Sequence, residues 1–130
     1  MAGRVYKSLG KLVMRSVDTF EKIFIHKAPV DMRKSIAGLS VIVDQEMGIS
    51  LQSDSLFIFC NKRRTHLKML YFDKSGFALW LKKLESSKFP WAKQSISKDT
   101  IEMSCADLKL LLEGVNVWTR FEKVCFERVI

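Results

Sequence analysis

Hydrophobic residues recur along the chain with two different periods, and the switch between them divides it into elements. From residue 4 to residue 20, Val5, Leu9, Leu12, Val13, Val17 and Phe20 fall at helical spacing. Arg4, Lys7, Lys11 and Arg15 take the opposite side. This predicts a basic amphipathic helix, of the kind found on membrane surfaces, in transit peptides and, most commonly, docked on a domain. Residues 22–28, KIFIHKA, predict a short strand that Pro29 ends. Asp31 is then a candidate N-cap for a helix whose stripe is Met32, Ile36, Leu39, Val43 and Met47, with Gly48 as its C-terminal glycine.

The period then falls to two. Leu56–Cys60, Thr65–Phe72 and Phe77–Leu84 predict a three-stranded antiparallel meander. Its links are Asn61–Arg64 and Asp73–Gly76, the second a well-formed four-residue hairpin loop. With four residues in each loop, Cys60 faces Thr65 and Phe72 faces Phe77. One sheet face then carries Leu56, Ile58, Leu67, Met69, Tyr71, Trp80 and Leu84, with Lys82. The other carries Phe57, Phe59, His66, Lys68, Leu70, Phe72, Phe77, Leu79, Leu81 and Lys83. Both faces are too apolar to face water. A two-sided core is the favoured reading, since large apolar side chains are mostly buried. An aromatic and lysine face that stacks bases is the alternative.

Phe89-Pro90-Trp91 ends the sheet region and reads as exposed. Thr100–Met103 predicts a further short strand. Ser104 opens S-x-x-D, a capping pattern for a well-buried helix over Ala106–Glu113 that Gly114 closes. Residues 115–130 are compatible with either strand or helix. The expected fold class is α+β: a three- to five-stranded, mainly antiparallel sheet packed with two to three helices, in the order β-α-β-β-β-(β)-α. Residues 1–22 form an N-terminal extension and residues 23–130 a single domain.

Charge changes this picture because it is uneven. The 130 residues carry a net +8. Residues 61–93 alone hold nine basic and two acidic side chains, a balance of +7. A basic segment inside a folded domain favours polyanions through phosphate neutralisation and counterion release. Arg33 and Lys34 add two cations at the expected start of the first helix. The macrodipole disfavours them there unless an anion binds. The competing reading is a solvated surface that aids solubility.

The chemistry of catalysis is sparse. Three cysteines, Cys60, Cys105 and Cys125, lie too far apart for a C-x-x-C motif, and their odd number argues against a disulfide framework and for a reducing cytoplasm. His26 and His66 have no metal-ligand spacing, and no phosphate-binding glycine loop occurs. Cys60 and His66 could meet across the first hairpin, but no third group orients them. A buried thiol is the commoner state. No catalytic residue, metal site or cofactor is expected. No apolar run approaches the ~20 residues of a membrane span, and no membrane partner is expected.

Several segments, in order, resemble one family. Val30-Asp31-Met32-Arg33-Lys34-Ser35 followed by Gly38-Leu39 resembles its P-x-D-M-R-K-[GS]-x-x-G-L signature. Leu56–Arg64, Leu67–Asp73, Gly76–Glu85, Phe89-Pro90-Trp91 and Leu111-Leu112-Glu113-Gly114 extend the match across roughly residues 23–118. The family is the TnpB accessory protein of bacterial insertion sequences of family sixty-six, the product of the element's second reading frame. The resemblance implies a protein encoded beside a separate DDE-type transposase, with no catalytic residue to carry over. It also implies a shorter leader than residues 1–22, with Met14 as an alternative start. The functional expectation is a non-catalytic accessory factor. It binds DNA backbone or the transposase–DNA assembly through Arg33, Lys34, Lys62, Arg63, Arg64, Lys68, Lys82 and Lys83. The alternative is a protein-interaction module that touches the transposase alone, motivated by the doubly apolar sheet and by Phe89-Pro90-Trp91. A homo-oligomer is compatible with either.

Overall fold

A computed structural model describes residues 4–5, 12–13, 15–93 and 95–119. Strands β1 (Arg4–Val5) and β2 (Leu12–Val13) pair antiparallel as a two-residue ladder, and a 3₁₀ turn covers Val17–Thr19. The helix expected over residues 4–20 is therefore not formed by its described residues. Ser16 is the local reason for a break: it is extended (φ −61°, ψ 137°) and caps the 3₁₀ turn by accepting from the Asp18 N–H.

The main sheet has five strands: β3 (Lys22–His26), β4 (Ser55–Cys60), β5 (His66–Asp73), β6 (Gly76–Lys83) and β7 (Thr100–Met103). Their spatial order is β6-β5-β4-β3-β7. Every neighbouring pair is antiparallel except β3 and β4, which run parallel. The sheet is thus mixed, because the helical connection between β3 and β4 acts as a crossover. The α+β class and the element order are those expected.

The first helix begins later than the sequence pattern predicts. Asp31 caps a turn instead: its Oδ1 accepts the Arg33 N–H at 2.8 Å, and its carbonyl accepts the Lys34 N–H at 3.0 Å. Helix α1 covers Ile36–Val41, with Ser35 at its N-cap, and continues as a π-helical stretch through Ile42–Met47. Arg33 and Lys34 consequently precede the helix and do not occupy its first turn. Gly48, at φ 67°, closes the element as expected. Met32, Ile36, Leu39, Val43 and Met47 all pack against one face of the sheet.

Both faces are core. Phe57, Phe59 and Leu70 lie under α1 with Leu39 and Val43. Leu56, Ile58, Leu67, Met69, Tyr71 and Trp80 lie on the other face. Helix α2 (Cys105–Leu112) covers that face with Leu108 and Leu111. Its remaining apolar positions are less buried than its composition predicts, and Leu110 is exposed. Ser104 caps α2 by accepting the Asp107 N–H at 3.1 Å. Phe89 and Trp91, expected at the surface, are only 2% and 8% exposed. Trp91 donates its indole N–H to the Lys27 carbonyl at 2.8 Å, which gives its polar edge a partner inside the core. The base-stacking alternative for the sheet finds no open face among these residues.

Candidate nucleic-acid interface

The strand directions decide where the cations go. β3, β4 and β6 end, and β5 and β7 begin, at the same end of the sheet. His26, Cys60, His66, Lys83 and Thr100 mark it. The Lys62–Thr65 link lies there, with the C-terminal lysines of β6. The segment after β3 is drawn to it by a hydrogen bond from the Val30 N–H to the Cys60 carbonyl at 2.9 Å. The Phe89 N–H donates to the Arg64 carbonyl at 2.7 Å, bringing the 84–91 segment to the same place. Folding thus gathers much of the basic quarter of the sequence at one end, while Lys74, in the turn between β5 and β6, lies at the other.

The link that carries Lys62, Arg63 and Arg64 is shaped by Asn61. Its Oδ1 accepts the N–H groups of Thr65 (2.9 Å) and His66 (3.0 Å), and its Nδ2 donates to Thr65 Oγ1 at 2.9 Å. Arg64 takes the left-handed conformation, φ 66°, which a non-glycine residue adopts only when its surroundings enforce it. Its guanidinium lies 5.9 Å from the Trp91 ring centroid. Lys62 and Arg63 are exposed.

The register differs from expectation here. Cys60 pairs with Leu67, not Thr65, because the loop is closed by Asn61 and His66. The slip is two residues, so every side chain keeps its expected face. The second hairpin pairs Phe72 with Phe77 as predicted.

The eight predicted residues share this end but not one chemical state. Lys34, Lys62, Arg63, Arg64 and Lys83 pair with no carboxylate of the described residues. Arg33 is 91% exposed and grips Asp31 in a fork, Nη2 to Oδ2 at 2.6 Å and Nε to both oxygens. That guanidinium holds the Asp31 carboxyl down at about 2. Lys68 is half-buried, and its ammonium donates to the carbonyls of Met32 (2.7 Å) and Lys34 (2.6 Å). Burial pushes its pKa down. Lys68 therefore pins the turn that bears Arg33 and Lys34 and is not a free cation. Lys82 points to the other face and donates to the Leu112 carbonyl at 2.8 Å, where a cation favours the end of α2.

Lys88 lies outside the predicted set and belongs with it: it is exposed, beside Phe89, at the same end. It contributes to the basic excess of residues 61–93, but only the Phe89–Arg64 hydrogen bond reveals its place.

The opposite end carries both signs, with Lys22 and Lys74 exposed there. Asp54 pairs with Arg15 at 2.7 Å, and Asp18 with Lys109 at 2.8 Å. Each of those cations holds its carboxyl below the ordinary value. A concavity whose charged lining is Asp18, Glu21, Glu102 and Lys22 lies at this end.

The Cys60–His66 pair is not assembled. Cys60 is buried, and burial pushes its thiol up to about 12, so it is no thiolate at neutral pH. His66 Nδ1 instead lies 2.7 Å from Thr65 Oγ1. Among the described residues no group of three or more His, Cys, Asp and Glu side chains could hold a metal ion, and no helix is long and apolar enough to cross a membrane.

Residues 21–122 match the family described as IS66 Orf2-like protein. Two proteins of Sinorhizobium fredii, both described as uncharacterised, are similar along most of their length. y4jC is 31% identical over 102 residues, covering 78% of this chain and 85% of the relative. y4hO is 27% identical over 95 residues, covering 73% and 81%. No solved structure matches the chain.

Proposed function

The chain belongs to the IS66 Orf2-like family of insertion-sequence proteins, and from that premise we propose that it is a non-catalytic accessory factor of transposition that holds DNA by its backbone at the basic end of the sheet. The observation that carries the reading is the convergence of Lys34, Lys62, Arg63, Arg64, Lys83 and Lys88 on one end without carboxylate partners among the described residues. Cations in that state attract phosphates and release counterions on contact. Arg33 joins them by exchanging an exposed carboxylate for a phosphate. Lys68 and Lys82 act at one remove, the first by fixing the turn that carries Arg33 and Lys34, the second by anchoring the end of β6 to α2.

Among the described residues the unpaired cations lie on links and at a strand end, not on a helix that could enter a groove. Backbone contacts position a protein without selecting sequence, so choice of the element's ends falls to the transposase. The DNA partner places the protein at the nucleoid of a bacterial cytoplasm. A module that binds the transposase without DNA rests on a doubly apolar sheet and an exposed Phe89-Pro90-Trp91; with both sheet faces packed as core and Phe89 and Trp91 buried, neither feature supports it.

Mobility-shift titration of duplex DNA tests the reading. Substituting Lys62, Arg63 and Arg64 together by alanine should weaken binding alike for element-end and random duplexes. Unchanged binding by a folded triple variant would refute it.

A further inference from the structure

The sheet has two edges, and they are built differently. β7 is four residues long and carries an exposed Glu102, a short charged edge of the kind that discourages pairing. β6 is eight residues long, and its apolar stretch Phe77–Leu81 includes Leu81 at 39% exposure.

The hydrogen bonds fix which β6 residues face outward. The Leu84 N–H donates to the Thr65 carbonyl at 2.9 Å, so Thr65 and Leu84 form a hydrogen-bonded pair. Alternation along an antiparallel ladder then turns the backbone groups of Lys82, Trp80, Ala78 and Gly76 toward β5. The same parity follows from the other side of β5: the Asn61 N–H donates to the His66 carbonyl, which directs the even-numbered β5 residues to β4 and leaves the odd ones for β6. The outward groups therefore belong to Phe77, Leu79, Leu81 and Lys83. Among the described residues none of them receives or donates a backbone hydrogen bond beyond the strand.

This set is centred on Trp80 and closes on itself. We propose that β6 is a self-association edge, which pairs antiparallel with β6 of a second copy about a two-fold axis through Trp80. In that register Leu79 faces Leu81 of the second copy, and Phe77 faces its Lys83. All four outward residues exchange hydrogen bonds, two apolar cross-strand pairs form, and each lysine lies over an aromatic ring. Charge selects this occupant and direction. A parallel copy would set Lys82 and Lys83 beside their own images, whereas an antiparallel one sets them beside Gly76, Phe77 and Ala78. The inference stands apart from the DNA reading, because the outward groups of β6 include only one of the proposed phosphate-binding cations.

Sedimentation velocity of the full chain over rising concentration, with hydrogen exchange of its amides, tests the proposal. The mass should move from one chain to two, with amides of Phe77, Leu79, Leu81 and Lys83 gaining protection as the dimer forms. Leu81→Pro removes an outward N–H and leaves the ladder to β5 intact, so the variant should stay folded and monomeric. If Leu81→Pro disturbs folding, Leu81→Lys provides the same loss of dimer, because it sets an ammonium against Leu79 of the second copy in place of an apolar pair. A chain that stays monomeric at every concentration overturns the proposal. So does a dimer that survives in the folded variants, or a monomer whose four outward amides are already protected by its own remaining residues.

Discussion

Asn61 organises the basic loop more than any of the cations does. One side chain satisfies two N–H groups and the Thr65 hydroxyl, and this arrangement holds Arg64 in a left-handed conformation. Asn61→Ala should cost about 1–3 kcal/mol in chemical denaturation, because it leaves half-buried donors without partners. Arg64→Gly separates shape from charge. Glycine adopts φ 66° without penalty, so stability should stay within about 1 kcal/mol of the parent while DNA binding falls. A loss of stability comparable to Asn61→Ala would show that Arg64 has a structural part beyond its conformation. Asp31 supplies a pH test. Its carboxyl is held at about 2, below the ordinary 3.8, first by the hydrogen bonds from the Arg33 side chain. A depressed carboxylate contributes above its unfolded value and stops contributing as pH falls through its folded one. An NMR titration should therefore show the Asp31 midpoint near 2, moving up toward 3.8 in Arg33→Gln. Asp31 is legible in the sequence as a capping residue. That it caps a turn, with Ser35 at the N-cap position of the helix but making no side-chain cap bond, is not, since Asp and Ser are equally common at N-caps and nothing local chooses between them.

At the scale of elements, the strand pattern is the most legible feature of this chain, and the reason is geometric. The first hairpin is slipped by two residues from its expected register, yet Phe57, Phe59 and Leu70 remain under α1, and Leu56, Ile58 and Leu67 remain on the other face. A period of two makes an even slip invisible to burial. The segments that mislead are those whose partners are distant in sequence. Phe89 and Trp91 look exposed because a proline separates them. Their burial depends on the Arg64 and Lys27 carbonyls. The N-terminal segment reads as a helix because helical spacing in a basic segment does not exclude extended pairing. Lys68 makes an element-level prediction. Its ammonium ties the 32–34 turn to β5, and methionine keeps the stem without the charge. Lys68→Met should speed amide exchange in that turn and weaken DNA binding, with a stability loss of about 1 kcal/mol. An unchanged turn would mean that Asp31 alone suffices to hold it.

Over the whole molecule, polarity is the property that neither composition nor any single element reveals. The excess charge can be read in residues 61–93 of the sequence, but its spatial concentration depends on three strands ending, and two beginning, at the same end. The far end carries carboxylates already joined to Arg15 and Lys109. The central claim is that the cationic end receives a polyanion. Its most direct test is a salt series of binding to duplex DNA, comparing the parent chain with the Lys62, Arg63 and Arg64 triple alanine variant. Each phosphate neutralised contributes about −0.9 to the slope of log affinity against log salt concentration. The parent should show a steep negative slope, and the variant a slope shallower by about one for each phosphate it no longer neutralises. Parent affinity that does not change with salt, or identical slopes for the two folded proteins, would contradict the account.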